Sequence, residues 1–126
     1  SELDIFEFVG DSKRGDKDKR FPFATHDWST GKGEANVWKG SVELDWRVAD
    51  DFHVYGCEWS ENGLNFYADG KLVKSITRAE LGKAWVLTRP LKIWVDSETF
   101  HWEGFPDEAD LPVDFEIEYI RVWQKE

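Results

Sequence analysis

Residues 52–76 read FHVYGCEWSENGLNFYADGKLVKSI: three apolar-rich runs, Phe52 to Trp59, Leu64 to Ala68 and Leu72 to Ile76, joined by Glu61-Asn62-Gly63 and Asp69-Gly70. Asn-Gly and Asp-Gly tolerate the positive φ angles that tight hairpins demand, so the stretch predicts a meander of three antiparallel strands. Directly after it, Thr77 stands three residues before Glu80 in a capping-box pattern and Gly82 can end a turn. One short connecting helix is therefore expected at Arg78 to Gly82.

Outward from the meander the same grammar repeats. Residues 2–9 and Phe21 to Trp28 read as strands, and Ser29 to Gly33 as a Gly-rich turn. Val42 to Val48 alternates Val42, Leu44, Trp46 and Val48 with Glu43, Asp45 and Arg47, which predicts a half-buried strand. Leu91 to Ser97 and Phe115 to Trp123 complete the set, while Asp11 to Arg20, with five basic and three acidic side chains, reads as a solvated loop. There is no repeat, linker or low-complexity tract. The expectation is an all-β, antiparallel two-sheet β-sandwich, residues 1–126 forming a single domain, with a closed barrel as the alternative.

Composition narrows the function. With 40% apolar and 16% aromatic residues, the 126-residue chain can bury a core. Eight Trp against no Met suit either a sandwich core or a surface on which sugars stack. A formal charge of −10 argues against nucleic acid as a partner. Cys57, the single cysteine, excludes an intrachain disulfide and a cysteine zinc cluster. Apolar runs are strand-length, so no membrane association is expected, and no basic, apolar leader precedes Ser1; an export signal would lie outside this sequence.

The chemistry gathers at Glu2-Leu3-Asp4-Ile5-Phe6-Glu7, "ELDIFE". In a straight strand Glu2 and Asp4 share one face and Glu7 the other. A β-bulge at Ile5 and Phe6 would return Glu7 to the face of Glu2 and Asp4, with same-face neighbours roughly 6 to 7 Å apart. Carboxylates so crowded cannot all ionise cheaply, so at least one should hold its proton. One ionised carboxylate and one protonated partner are what retaining glycoside hydrolysis uses, with carboxyls about 5 to 5.5 Å apart. The plainer alternative makes the three acids the solvent-facing half of an amphipathic strand.

"ELDIFE" resembles the E-x-D-x-x-E signature of glycoside hydrolase family 16, in the bulged form of laminarinases, agarases, porphyranases and carrageenases. "FHVYGCEWSENGLNFYADGKLV", "PLKIWVDSETFHWEGFP" and "EYIRVWQ" resemble, in order, the family's meander, a cleft-lining strand and loop, and its C-terminal strand. The resemblance implies a concanavalin-like β-jelly roll with a polysaccharide cleft and a double-displacement, retaining, endo-acting mechanism without metal or organic cofactor. It implies Glu2 as nucleophile, Glu7 as acid/base and Asp4 as the residue between them that tunes the nucleophile. "WVDSETFHWEGFP" looks more like the carrageenase, porphyranase and agarase branches, so a red-algal galactan is the expected substrate. A β-1,3-glucan is the enzymatic alternative, and a non-catalytic carbohydrate-binding sandwich or an inactive fragment the others. Family members usually carry about as much chain before this motif as after it, so the sequence corresponds to the C-terminal half. That half is expected to show weak or no activity alone, being a fragment, a partner of a second chain that supplies the N-terminal half, or a natural compact form. Secretion or a periplasmic or cell-surface location is expected.

Further substrate-binding candidates are His26 and Trp28 in "FATHDW", Trp94, Asp96 and Glu98 on one face of the strand at 93–98, and Trp102 in the loop after it. An indole beside carboxylates suits a sugar, the ring stacking on a pyranose face and the acids accepting from hydroxyls. His26 reads equally as a packed bystander, and Trp94 alternatively as a core residue beside a paired Asp96. Trp46, Trp59 and Trp123 are expected in the core. Lys13, Arg14, Lys19, Arg20, Arg89 and Lys92 are cations that a sulphated polymer would need. Glu118 alone does not make a calcium site.

Overall fold

The structure, a computed structural model, describes residues 1–10, 17–31 and 36–125; the expectations for Lys13, Arg14 and most of the charged loop lie outside the described residues. Two units are distinguished, Ser1–Ile93 and Trp94–Glu126. The first contains two three-stranded antiparallel sheets, so the all-β, two-sheet reading of the sequence holds.

The second sheet is the meander: β4 (Tyr55–Ser60), β5 (Gly63–Ala68) and β6 (Lys71–Thr77), in that order. Asp69 and Gly70 both take positive φ, 48° and 75°, as a two-residue hairpin with Asp-Gly requires. At the other turn a Cβ on Gly63 would lie 2.3 Å from the Ile76 carbonyl oxygen, so only glycine fits. The short helix α1 (Arg78–Leu81) follows with both halves of its capping box formed. Glu80 N–H donates to Thr77 Oγ1 at 3.2 Å, and Thr77 N–H donates to Glu80 Oε2 at 2.8 Å.

The first sheet is β1 (Glu2–Asp4), β2 (Arg20–His26) and β3 (Val37–Glu43), with β2 in the middle. Phe21 and Phe23 point from β2 into the core with Leu64, Phe66 and Ala68 of β5, and the buried Thr25 hydroxyl donates to the Ala84 carbonyl at 3.0 Å. Aromatic rings join the sheets: Phe23 stacks on Phe66 at 4.2 Å, Phe21 meets Tyr55 edge-on at 5.0 Å, and Phe6 stacks on Tyr55 at 4.1 Å. Gly40 on β3 makes room for this layer, since a Cβ there would lie 2.6 Å from Phe23 Cε2.

Three expectations need correction. The strand foreseen at Val42 to Val48 lies earlier, at Val37–Glu43, because its partner β2 begins at Arg20; beyond Glu43 the chain instead bonds the turn before β2, with Leu44 N–H on Lys19 O and Val48 N–H on Asp18 O. Residues 91–97 and 115–123 form no ladder among the described residues. An alternating sequence becomes a strand only when a neighbour takes its N–H and C=O groups, and none of the described strands does so. Trp123, in such an unpaired stretch, is 79% exposed rather than in a core, and Trp59, although paired with Leu64, lies near the end of edge strand β4 and is 41% exposed. Trp46 does pack against the core. Among the described residues no helix is long and apolar enough to cross a membrane.

Candidate active site

The opening strand carries the register change that the acids require. Glu2 pairs with His26, Leu3 with Thr25 and Asp4 with Ala24. Continued unbroken, that register would set Phe6 opposite Pro22, but it is Glu7 whose N–H donates to the Pro22 carbonyl, at 3.2 Å. One extra residue therefore lies between Asp4 and Glu7, which is a bulge. Pro22 has no N–H to return the bond, so the regular ladder ends at Asp4 rather than reaching residue 9.

Cross-strand partners share a face, which settles where the side chains lie. Glu2, Asp4 and Glu7 fall on the face of His26, Ala24 and Pro22, while Leu3 and Phe6 turn inward with Thr25 and Phe21. On β3 the same outer face carries Lys39, paired with Ala24. Lys39 was missed in the sequence; its place became visible only once β3 was known to pair with β2 through residues 37–43.

Five groups then form one constellation. Trp28 Nε1–H donates to Glu2 Oε2 at 2.5 Å, and Glu2 in turn shares a hydrogen bond with Asp4. Asp4 Oδ2 lies 2.9 Å from His26 Nε2, both side chains being largely buried. His26 and Trp28 stack in parallel, centroids 5.6 Å apart and 4° between planes. Asp27 fixes the turn that carries Trp28: its carboxylate accepts from Ser29 N–H at 2.9 Å and from Asn36 Nδ2 at 3.2 Å, and these together with, first of all, the Ser29 hydroxyl hold it below the usual carboxylate range.

The electrostatics single out Asp4. Burial, the hydrogen bond to Glu2, and then the charges of Glu2 and Glu7 push its carboxyl up to about 8, against a smaller opposing pull from Lys39. The proton expected on one of the crowded acids thus sits on the middle one. His26 is lowered from its ordinary value, by burial first and then by the Lys39 charge. At neutral pH the central pair is a protonated Asp4 beside a neutral imidazole.

The second unit holds the remaining candidates. Trp94 is 79% exposed in this chain, and its Nε1–H donates to Asp96 Oδ2 at 2.6 Å. Asp96 also bonds Glu98 and raises its pKa, so the three are neighbours on one surface, as their alternation predicted. Trp102 stacks on Phe100 at 4.6 Å. Among the described residues no group of three or more His, Cys, Asp or Glu side chains is disposed to hold a metal ion.

Known proteins are similar to most of this chain. The chain is similar to β-porphyranase B of Phocaeicola plebeius, 32% identical over 87% of this chain and 39% of the relative. It is also similar to β-porphyranase C of Zobellia galactanivorans, 27% identical over 86% of this chain and 33% of the relative. A β-glucanase of Acetivibrio thermocellus is 30% identical over 75% of this chain and 29% of that protein. The chain thus spans well under half the length of these curated relatives. The sequence model for glycosyl hydrolases family 16 matches residues 1–121, and the chain belongs to that family.

Proposed function

We propose that the protein of which these residues form the acid-bearing part is a retaining, endo-acting glycoside hydrolase of β-linked red-algal galactan, of the porphyran, agarose or carrageenan type. The observation that carries this is the bulge: Glu2, Asp4 and Glu7 share one face, with a proton held between two of them. Glu2, oriented by Trp28, attacks the anomeric carbon while Glu7 gives its proton to the leaving oxygen. Water then hydrolyses the glycosyl-enzyme with Glu7 acting as base. Asp4 donates a hydrogen bond to Glu2 that stabilises the carboxylate before attack and again as it leaves the hydrolysed sugar. Within the second unit, Trp94, Asp96, Glu98 and Trp102 are that unit's own candidates for contacting sugar.

Support for an anionic galactan comes from a cleft of about 520 Å³ lined by Lys17, Arg20 and Lys39 with Val9, Pro22 and Ser41, where sulphate esters would find cations despite the net charge. The porphyranase relatives point the same way. The likeness to the β-glucanase favours a neutral β-glucan such as laminarin as the second reading. A polymer of this size cannot enter a cell, so the site of action is secreted, periplasmic or on the cell surface. Ile93, Val122 and Trp123, all more than 60% exposed, support completion of the fold by further polypeptide, from the rest of a longer protein or a second chain.

The test is a reducing-end assay on porphyran, agarose, κ-carrageenan and laminarin with the complete protein and its Glu2→Gln variant. Product on one polymer, of retained anomeric configuration and abolished by the substitution, is expected. Equal product from both proteins would overturn the assignment.

A further inference from the structure

We propose that His26 is a positioning residue for the carboxyl pair: through Nε2 it fixes the Asp4 carboxyl so that the Asp4 proton is presented to Glu2, and it does not itself touch the sugar. The sequence suggested a substrate contact, but only 8% of His26 is exposed. One ring face is covered by Trp28, and Nε2 is engaged by Asp4 at 2.9 Å. The contacts close a circuit: the indole that covers His26 also donates to Glu2, and Glu2 is bonded to the Asp4 that His26 holds. Each member of this ring of four therefore restrains the next.

The direction of the hydrogen bond follows from the neighbours. Facing His26 are Glu2, Asp4 and Glu7 from the opening strand and Lys39 from β3. Burial and Lys39 keep the imidazole neutral, so it has one N–H to give. With that N–H directed at Asp4 Oδ2, the Asp4 proton is left for Glu2, and all three groups are satisfied. An imidazolium in the same place would draw Asp4 into an ion pair and remove that proton from the nucleophile.

The kinetic part of the test rests on the glycosidase reading; the spectroscopic part does not. In the complete protein, His26→Phe keeps a flat ring against Trp28 but removes the donor, whereas His26→Gln keeps an amide N–H at similar reach. With porphyran as substrate, His26→Phe is expected to lower kcat about tenfold or more with KM little changed, and His26→Gln to recover most of the loss. Followed by carboxyl carbon NMR, the Asp4 titration should move up by about half a unit or more in His26→Phe, since the ionised form loses a donor, and return in His26→Gln. Should the Phe variant not fold, His26→Asn, whose amide is too short to reach, replaces it. A raised KM with unchanged kcat, or an Asp4 titration indifferent to all the variants, would overturn the proposal. If the wild-type protein cleaves no polymer, the glycosidase reading fails while the Asp4 titration still decides what His26 does.

Discussion

Replacing Asp4 by Asn should change how stability depends on pH more than it changes stability itself. The Asp4 carboxyl is pushed from 3.8 to about 8 in the folded chain. Between those values the native state keeps a proton that the unfolded chain has released. Its stabilising contribution is therefore complete below 3.8 and is lost as pH rises through the folded value. His26 works in the opposite sense, since a lowered pKa adds stability above the ordinary 6.5 and loses it as pH falls. The clean window is thus from 6.5 to 8, where Asp4 contributes and His26 does not. Across it one carboxyl shifted this far removes about 1.5 kcal/mol, reduced by solvent screening at its outer edge to about 1 kcal/mol. Urea unfolding of wild type and Asp4→Asn at several pH values across the window should show the wild type losing that amount while the variant stays nearly level. Parallel curves would show that Asp4 is ionised in the native state and that no proton is stored between Glu2 and Asp4.

Other outcomes follow from local geometry. Thr77→Ala removes both bonds made by the cap hydroxyl of α1 and should cost about 1 kcal/mol, seen as a lower melting temperature. Gly40→Ala places a methyl 2.6 Å from the Phe23 ring and should cost about 1 to 3 kcal/mol in urea titration, because Phe23 is held against Phe66 and Trp38 and cannot give way. Asp96→Asn should let Glu98 titrate closer to its ordinary 4.5, since both the hydrogen bond and the charge that raise it come from Asp96; carboxyl NMR reads this directly, and an unmoved Glu98 would refute the pairing.

Local signals were legible in the sequence where short-range chemistry decides the outcome. Asn62-Gly63, Asp69-Gly70 and the Thr77–Glu80 box name their own turns and cap, and the meander and α1 follow from them. The spacing of Glu2, Asp4 and Glu7 was also legible, because a bulge is the only way to bring all three to one face of a strand. Pairing partners were not. Val42 to Val48 alternates as a strand would, yet its ladder ends where β2 does, at Arg20. Residues 91–97 and 115–123 alternate equally well and pair with none of the described strands. Lys39 stayed hidden for the same reason, its nearness to Asp4 arising from a register that no local pattern encodes. His26 illustrates a subtler gap: a place at the sugar site or a packed position was foreseen, but its contact with Asp4 and its burial depended on the β1–β2 register and on Trp28 folding over it.

The inserted residue in the opening strand does two things at once. It sends Glu7 outward, and it sends Phe6 inward against Tyr55 of the opposite sheet, rings 4.1 Å apart. The aim of Glu7, the acid/base of the proposed mechanism, is thereby bolted to the far layer through an aromatic rivet. Loosening Tyr55 or Phe21 should shift the gap between the two glutamates well before the chain melts, so under the proposed mechanism turnover by the complete protein should fade at temperatures where the fold still looks whole.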